Sequence, residues 1–143
     1  MAKKALITII GKQDFGDDKD CVEFTTVGTL EENHENYIFR YNEEQENLKK
    51  PIRSKLTISK DEKKVEMLRF GAYNSCLIIE RSKRNLCRYG TEYGDLLMGI
   101  FGRDIECNID EKEGSFLFAY DIDINGAMSS RNEVKVNYKI QNN

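Results

Sequence analysis

The sequence predicts an all-β fold, an antiparallel up-and-down β-barrel of roughly eight or more strands with little helix. Three observations predict it. Apolar and polar residues alternate with period two along most of the chain, which is typical of strands with one buried and one solvated face. Turn signals separate the alternating segments. The intervals between segments are too short for the crossover helices that parallel strands require, so consecutive strands are expected to pair antiparallel.

The predicted strands follow one another along the chain, and each keeps an apolar and a polar side. In one of them Ile52, Leu56 and Ile58 share a side, and Arg53 and Lys55 face the other way. This spacing places successive side chains on opposite faces of a sheet. The clearest segments of this kind are 6–10, 22–31, 37–41, 52–59, 105–110, 116–124 and 134–140.

The breaks between these segments carry turn residues. Asn125-Gly126 is the strongest of them, because a type I′ hairpin turn needs positive φ at both central positions. Polar breaks occur at 16–20, 33–36 and 60–63. The segment 42–50 has helix-forming residues but almost no apolar stripe, so we expect a loop there with at most one helical turn. Pro51, the only proline, restarts an extended strand.

Strands with one buried face must close over a common core, and either a sandwich or a barrel does so. Short sequential hairpins favour the meander of a barrel, which also removes the strand edges that promote aggregation. No linker, repeat or low-complexity segment divides the chain, so we expect one domain over residues 1–143.

Charge and hydropathy disfavour several classes of protein. Lys and Arg number 22 against 25 Asp and Glu, which gives a net charge of −3 and disfavours nucleic acid as a partner. No apolar run approaches the roughly 18 residues of a membrane span. The N-terminal residues lack the apolar stretch and cleavage site of a signal peptide. We therefore expect a cytoplasmic protein that does not contact a membrane.

The cysteines and the histidine predict neither a metal site nor a cofactor. Cys21, Cys76, Cys87 and Cys107 are widely spaced, whereas zinc sites use close cysteine pairs. We expect all four to be free thiols, since disulfide frameworks suit small secreted chains. His34 lies in a polar turn-like segment.

Four stretches, taken in order, resemble a known family. They read FTTVGTL at 24–30, MLRFG at 67–71, RNLCRYGTEYG at 84–94 and AYDIDING at 119–126. The chain resembles, from about residue 7 to residue 138, the uncharacterised bacterial YwiB-like family of small calycin-like (lipocalin-type) β-barrels. The resemblance implies a closed calycin-like barrel in a cytosolic bacterial protein, and it implies no reaction.

No residue pattern supports catalysis. A nucleophile needs a base that a third group orients, and the only histidine lies among exposed carboxylates. Paired carboxylates such as Asp121 and Asp123 fall on the polar side of a strand. No glycine-rich phosphate loop occurs. We expect a protein that is not an enzyme.

Two features suggest binding. Arg69 shares a side with Val65 and Met67, so period-two geometry points it into the barrel, where a guanidinium needs a protein carboxylate or a ligand anion. Tyrosines supply an apolar face and a hydroxyl for a cavity wall. We expect four residues at the lumen or its mouth, namely Tyr41, Arg69, Arg88 and Tyr93.

The leading hypothesis is a non-enzymatic binding module for a small, partly apolar or anionic ligand. One alternative is a protein-interaction module with a filled barrel, which uses an outer strand face or the basic hairpin 81–89. A third is an RNA-associated protein that uses the same hairpin through charge and stacking. The identity of the ligand, the physiological partner and the oligomeric state do not follow from the sequence.

Overall fold

Ten strands and no helix form in the residues that the computed structural model describes, which are 2–43, 51–71 and 74–141. The strands are β1 (Ala2–Asp14), β2 (Lys19–Glu32), β3 (Asn36–Glu43), β4 (Ile52–Ser59), β5 (Lys64–Phe70), β6 (Ser75–Glu80), β7 (Arg84–Thr91), β8 (Gly94–Ile109), β9 (Glu113–Ile124) and β10 (Ala127–Ile140). Of the predicted loop over 42–50, residues 44–50 lie outside the described ranges. Asn42 and Glu43 instead continue β3.

Each strand pairs antiparallel with its neighbour in sequence, and β1 closes the barrel against β10. The prediction of an antiparallel up-and-down barrel is confirmed. The predicted Asn125-Gly126 turn has φ of 55° and 85° at its two residues, as a type I′ hairpin requires. The connections β1–β2, β3–β4, β5–β6, β7–β8 and β9–β10 meet at one end of the barrel, which we call the first end. The other hairpin connections lie at the second end.

Side chains fill the barrel toward the second end. Phe39, Phe116 and Phe118 are fully buried there. Phe116 lies 5.3 Å from Phe39 and 5.9 Å from Tyr138, measured between ring centroids. Such distances are typical of favourable aromatic pairs. This part of the lumen is a packed core.

The joint between β6 and β7 is the most weakly paired part of the wall. The two strands share a single register pair, Ser75 with Tyr89. Farther toward the second end, hydrogen bonds that involve side chains replace the backbone hydrogen bonds that these two strands lack. The Ile78 N–H donates to Cys87 Sγ over 3.3 Å, and the Asn85 amide donates to the Ile78 carbonyl over 3.3 Å.

Candidate functional site

One continuous row of polar side chains crosses five neighbouring strands on the inner wall near the first end. Its members are directly paired from strand to strand. We call it the polar row, and it consists of Tyr41, Ser54, Arg69, Ser75 and Tyr89. Because paired residues point to the same face of a sheet, all five side chains face the lumen.

The next inner row toward the second end is entirely apolar. It runs through β3 to β6 and is paired in the same way. We call it the apolar row, and it consists of Phe39, Leu56, Met67 and Leu77. Each member lies two residues from a polar-row residue on the same strand, so the lumen changes from polar to apolar within one step of the strand repeat.

Arg69 has a carboxylate partner inside the barrel. Its Nη2 donates to Glu43 Oε2 at the end of β3, and the two side chains are 26% and 14% exposed. Burial alone would lower the pKa of Arg69, but the Glu43 carboxylate more than offsets this and raises it. The expectation that Arg69 points inward and needs a counter-charge therefore holds, and the counter-charge is a protein side chain.

One buried donor of the Arg69 guanidinium, Nε, has no hydrogen-bond partner among the described residues. The Ser54 hydroxyl, its direct neighbour on β4, is likewise buried and makes no well-formed hydrogen bond with the described residues, although it lies near enough to the Tyr41 phenol to oppose the rise in the pKa of that group. Buried polar atoms are almost always hydrogen-bonded, so two adjacent unpartnered atoms make this part of the inner wall unusual.

The facing wall, on β9 and β10, contributes Tyr120 and Asn132, which are register partners. The Asn132 amide donates to Ser130 Oγ over 3.0 Å, and its Oδ1 is buried without a partner. A cavity of about 150 Å³ lies against Tyr120, Asn132, Val22 and Val134. The second wall therefore adds one more unpartnered acceptor beside an open space.

The buried phenols of Tyr120 and Tyr41 stay protonated at neutral pH. Burial raises the pKa of Tyr120 to about 12, and Tyr89 adds to the shift while Arg69 opposes it. Burial also raises the pKa of Tyr41, and Glu43 adds to that shift. Since Arg69 and Tyr89 lie near enough to affect the pKa of Tyr120, the polar row and Tyr120 belong to one region of the lumen. We call this region, made of the polar row with Glu43, Tyr120 and Asn132, the polar half.

The structure brings together two of the four predicted site residues. Tyr41 and Arg69 lie in the polar half, on paired strands. Arg88 does not join them, because it alternates with the buried Cys87 and its exposed side chain lies on the outer wall. Tyr93 is 92% exposed in the β7–β8 turn at the first end, so it lies at the mouth and outside the lumen.

The basic hairpin 81–89 uses most of its cations within the protein. Arg84 donates two hydrogen bonds to Asp123, of 2.8 and 2.7 Å. Arg81 donates to the Ile105 carbonyl, and Lys83 lies 3.6 Å from Glu80. Arg88 has no ion-pair partner within the described ranges.

Ser54, Ser75, Tyr89 and Asn132 were not among the predicted site residues, although the sequence carries a signal for them. Each stands in phase with the apolar residues of its strand. Ser54, for instance, occupies the inner position between Ile52 and Leu56. For the two serines and Asn132, the signal is a small polar residue in an apolar phase, and it becomes informative once several strands show it at the same end.

Other chemistry-bearing residues lie apart. His34 is exposed in the β2–β3 turn at the second end. The four cysteines are unpaired, with Cys87 buried and Cys21 exposed. Within the described ranges, no group of three His, Cys, Asp or Glu is placed to hold a metal ion. The same ranges contain no helix long and apolar enough to cross a membrane.

Fold and site together define a closed antiparallel β-barrel whose lumen is packed at one end and polar at the other. A family model described as a domain of unknown function (DUF1934) matches residues 7–136, and the chain belongs to this family. A solved structure titled "Crystal structure of ywiB protein from Bacillus subtilis" is similar in fold, with a TM-score of 0.84 at 16% identity over 99% of this chain and 94% of that chain. The resemblance to the YwiB-like family is confirmed. No curated protein matches in sequence.

Proposed function

We propose that this chain is a non-enzymatic module that binds a small, partly apolar ligand through an anionic or hydrogen-bond-accepting group in the polar half. One observation carries the proposal. Among the described residues, the buried side-chain polar atoms without a partner are Ser54 Oγ, Arg69 Nε and Asn132 Oδ1, and all three belong to the polar half. Leaving such an atom unsatisfied costs about 1–3 kcal/mol, and a ligand that supplies the partners recovers that free energy.

The arrangement suggests how a ligand is oriented. Arg69 is held by Glu43 through Nη2, so its Nε is left to donate to a ligand oxygen. The Ser54 hydroxyl adds a second donor beside it. The apolar part of the ligand then extends toward β10, where Val134 is buried beside Asn132 in the neighbouring cavity. Apolar walls with few convergent polar groups are typical of small-molecule sites.

We also propose that the chain binds its ligand without catalysing a reaction. We propose that it does so in the cytoplasm. The carboxylate nearest to the polar-half hydroxyls, Glu43, is paired with Arg69, which disfavours it as a general base. The buried tyrosines, whose pKa values are raised by burial, hold their protons at neutral pH and do not act as bases there. A small module that recognises a cytoplasmic metabolite is consistent with this site.

Nuclear magnetic resonance with two matched probes tests the proposal. Hexanoate carries a carboxylate on a short apolar chain, and hexan-1-ol carries the same chain without the charge. Hexanoate should shift the backbone amides of polar-half residues in a saturable way, and hexanol should bind more weakly. No shift up to the solubility of hexanoate, or shifts confined to the outer wall, would show the proposal to be wrong.

Substitutions in the polar half test which side chains bind hexanoate. Arg69→Lys keeps a cation near Glu43 but lacks the free Nε donor, and Asn132→Leu removes the unpartnered acceptor. The first should weaken hexanoate binding at least about tenfold, the effect of roughly 1.4 kcal/mol. Arg53→Met, on the exposed outer side of β4, is the matched control and should bind like the unmodified protein. Equal binding by all variants would contradict the assignment of Arg69.

A further inference from the structure

The buried polar atoms without a partner in the polar half are of two kinds, and they lie on different strands. Arg69 Nε on β5 can only donate a hydrogen bond, and the Ser54 hydroxyl lies directly beside it on β4. Asn132 Oδ1 on β10 can only accept one, and no donor among the described residues supplies it. A carboxylate suits the first two atoms, because it accepts hydrogen bonds and donates none. It cannot satisfy Asn132.

Asn132 is a fixed part of the inner wall. The residue is 2% exposed, and it stands in phase with the buried Val134 and Val136 on β10, so its side chain faces the lumen. Its amide nitrogen donates to Ser130 Oγ over 3.0 Å, which holds the side chain and leaves Oδ1 as the unpartnered atom. Because a buried acceptor without a partner destabilises the folded protein, this position favours a molecule that brings a donor.

Space for such a donor lies beside Asn132. A cavity of about 150 Å³ is bordered by Asn132, Val134 and Tyr120. Gly11, the ladder neighbour of Val134 on β1, borders the same cavity, and a Cβ built on it would meet no atom within 4 Å. A single water needs roughly 10–15 Å³ of such space. The cavity therefore has room for a hydroxyl group and the carbon atom that carries it.

The surroundings of this cavity favour a neutral group that both donates and accepts a hydrogen bond. Tyr120 is the register partner of Asn132, and burial raises the pKa of its phenol to about 12, so the phenol keeps a proton to donate. Asp20 and Lys12 also border the cavity, and their opposite charges favour neither an anion nor a cation. A hydroxyl group donates one hydrogen bond and accepts others, so it matches Asn132 and Tyr120 together.

We propose that the ligand of the polar half is a hydroxy acid, with its hydroxyl group at the end remote from its carboxylate. The carboxylate accepts from Arg69 Nε and Ser54, the hydrocarbon chain extends toward Val134, and the hydroxyl donates to Asn132 Oδ1. This inference rests on the proposed function, because it assigns the second end of the same ligand. A site built to bind a hydroxyl discriminates against an analogue that lacks it, since its buried polar group then stays unpaired.

A matched ligand series tests the proposal on the unmodified chain. Straight-chain acids of four to eight carbons, each with a terminal hydroxyl, are compared by nuclear magnetic resonance titration with the plain acid of equal length. At the length that reaches Asn132, the hydroxy acid should bind at least about tenfold more tightly. The acid with a terminal methoxy group is the control. It keeps the oxygen but cannot donate, so it should bind no more tightly than the plain acid.

Substitutions test which side chain receives the hydroxyl. Asn132→Leu removes the acceptor, so its affinities for the hydroxy acid and the plain acid should agree within about twofold. Asn137→Leu makes the same change on the outer face of β10 and should keep the full preference. Tyr120→Phe retains the ring and should reduce the preference at least about threefold. Circular dichroism establishes that each variant is folded, and the ligand series on the unmodified chain needs no variant.

Failure of this inference is distinguishable from failure of the proposed function. If at every length the hydroxy acid binds no better than the plain or the methoxy acid, or if Asn132→Leu keeps the preference, the ligand is not a hydroxy acid held by Asn132. The proposed function would then still stand on hexanoate binding that depends on Arg69. If no acid of any kind binds, the proposed function is wrong, and this inference is wrong with it.

Discussion

The polar row and the apolar row lie two residues apart on the same strands, but they differ in hydrogen bonding and in their effect on the stability of the fold. Phe39 and Leu56 of the apolar row are almost completely buried among carbon atoms. Ser54 and Arg69 of the polar row are enclosed by the same wall, yet each leaves a polar atom without a partner. The apolar row stabilises the fold, whereas the polar row keeps unmet hydrogen-bonding capacity. Proteins tolerate such local cost mainly where a site needs it.

The largest expected effect comes from opening the packed end of the lumen. Phe116→Ala removes a fully buried ring that contacts Phe39 and Tyr138, and it leaves a cavity among them. We expect a loss of about 3–5 kcal/mol in the free energy of unfolding, measured by urea denaturation. Phe15→Ala, which removes a half-exposed ring in the β1–β2 turn, is the control and should change stability by about 0.5 kcal/mol or less. Similar losses for both would show that the second end is not tightly packed.

Alkaline pH distinguishes the polar half from the packed end through Tyr120. The native pKa of its phenol, about 12, lies above the ordinary value of 10.0 that it regains on unfolding. As pH rises through 10, the unfolded chain therefore loses this proton first and stability falls. Between pH 10 and 12 the slope owed to Tyr120 is about 1.4 kcal/mol per pH unit, measured by denaturant unfolding at each pH. Tyr120→Phe should remove that part of the slope.

Tyr93→Phe supplies the control for this measurement, since that side chain is almost fully exposed. It should leave the pH dependence of stability unchanged. An unchanged slope in Tyr120→Phe as well would mean that water reaches the Tyr120 phenol in the native protein.

The fold was predictable from the sequence because most strands carry their own evidence. Alternation in β4 or β10 indicates burial residue by residue, and Asn125-Gly126 indicates its turn without any distant contact. Seven alternating segments separated by turn signals are compatible with few closed arrangements. The number of strands was less certain, since β6 and β7 are joined by one register pair and are held mainly by side chains.

The site was predictable only in part, because its members depend on register between strands. Tyr41 and Arg69 were found by in-phase reasoning on single strands. Their union with Ser54 and Ser75 requires the alignment of four strands, which no local pattern fixes. Glu43, the partner of Arg69, lies within the segment 42–50 that was predicted as a loop, so the pair could not be predicted. Arg88 was wrongly predicted to lie at the lumen or its mouth, because it belongs to a cluster of basic residues in the sequence. Its alternation with the buried Cys87 places its side chain on the outer wall.

A smaller effect is expected from breaking the ion pair of the polar half. Arg69→Met leaves Glu43 as a partly buried carboxylate without its cation. Fully buried pairs cost about 3–5 kcal/mol when one partner is removed. Because Arg69 and Glu43 keep some exposure to solvent, we expect a loss of about 1–3 kcal/mol in urea denaturation.

The exposed pair of Arg40 and Glu31 is the control for this loss, with side chains 49% and 35% accessible. Arg40→Met should cost about 0–1 kcal/mol. Adding Glu43→Gln to Arg69→Met should recover part of the stability, because the unpaired charge is then gone. Equal costs for the two arginine variants would mean that the polar half is solvated like the surface.

The smallest expected effect on stability comes from a comparison of two buried serines that differ in one hydrogen bond. Ser54 and Ser130 are 6% and 3% exposed. Ser130 Oγ accepts from the Asn132 amide, and Ser54 Oγ has no partner in the described part of the chain. Ser130→Ala should destabilise by about 1–2 kcal/mol, since it leaves the amide unsatisfied. Ser54→Ala should be neutral or stabilise by up to about 1 kcal/mol, because it removes a desolvated hydroxyl, while it weakens hexanoate binding. A loss for Ser54→Ala as large as that for Ser130→Ala, in matched urea denaturation, would mean that the Ser54 hydroxyl is already satisfied and is not held open for a ligand.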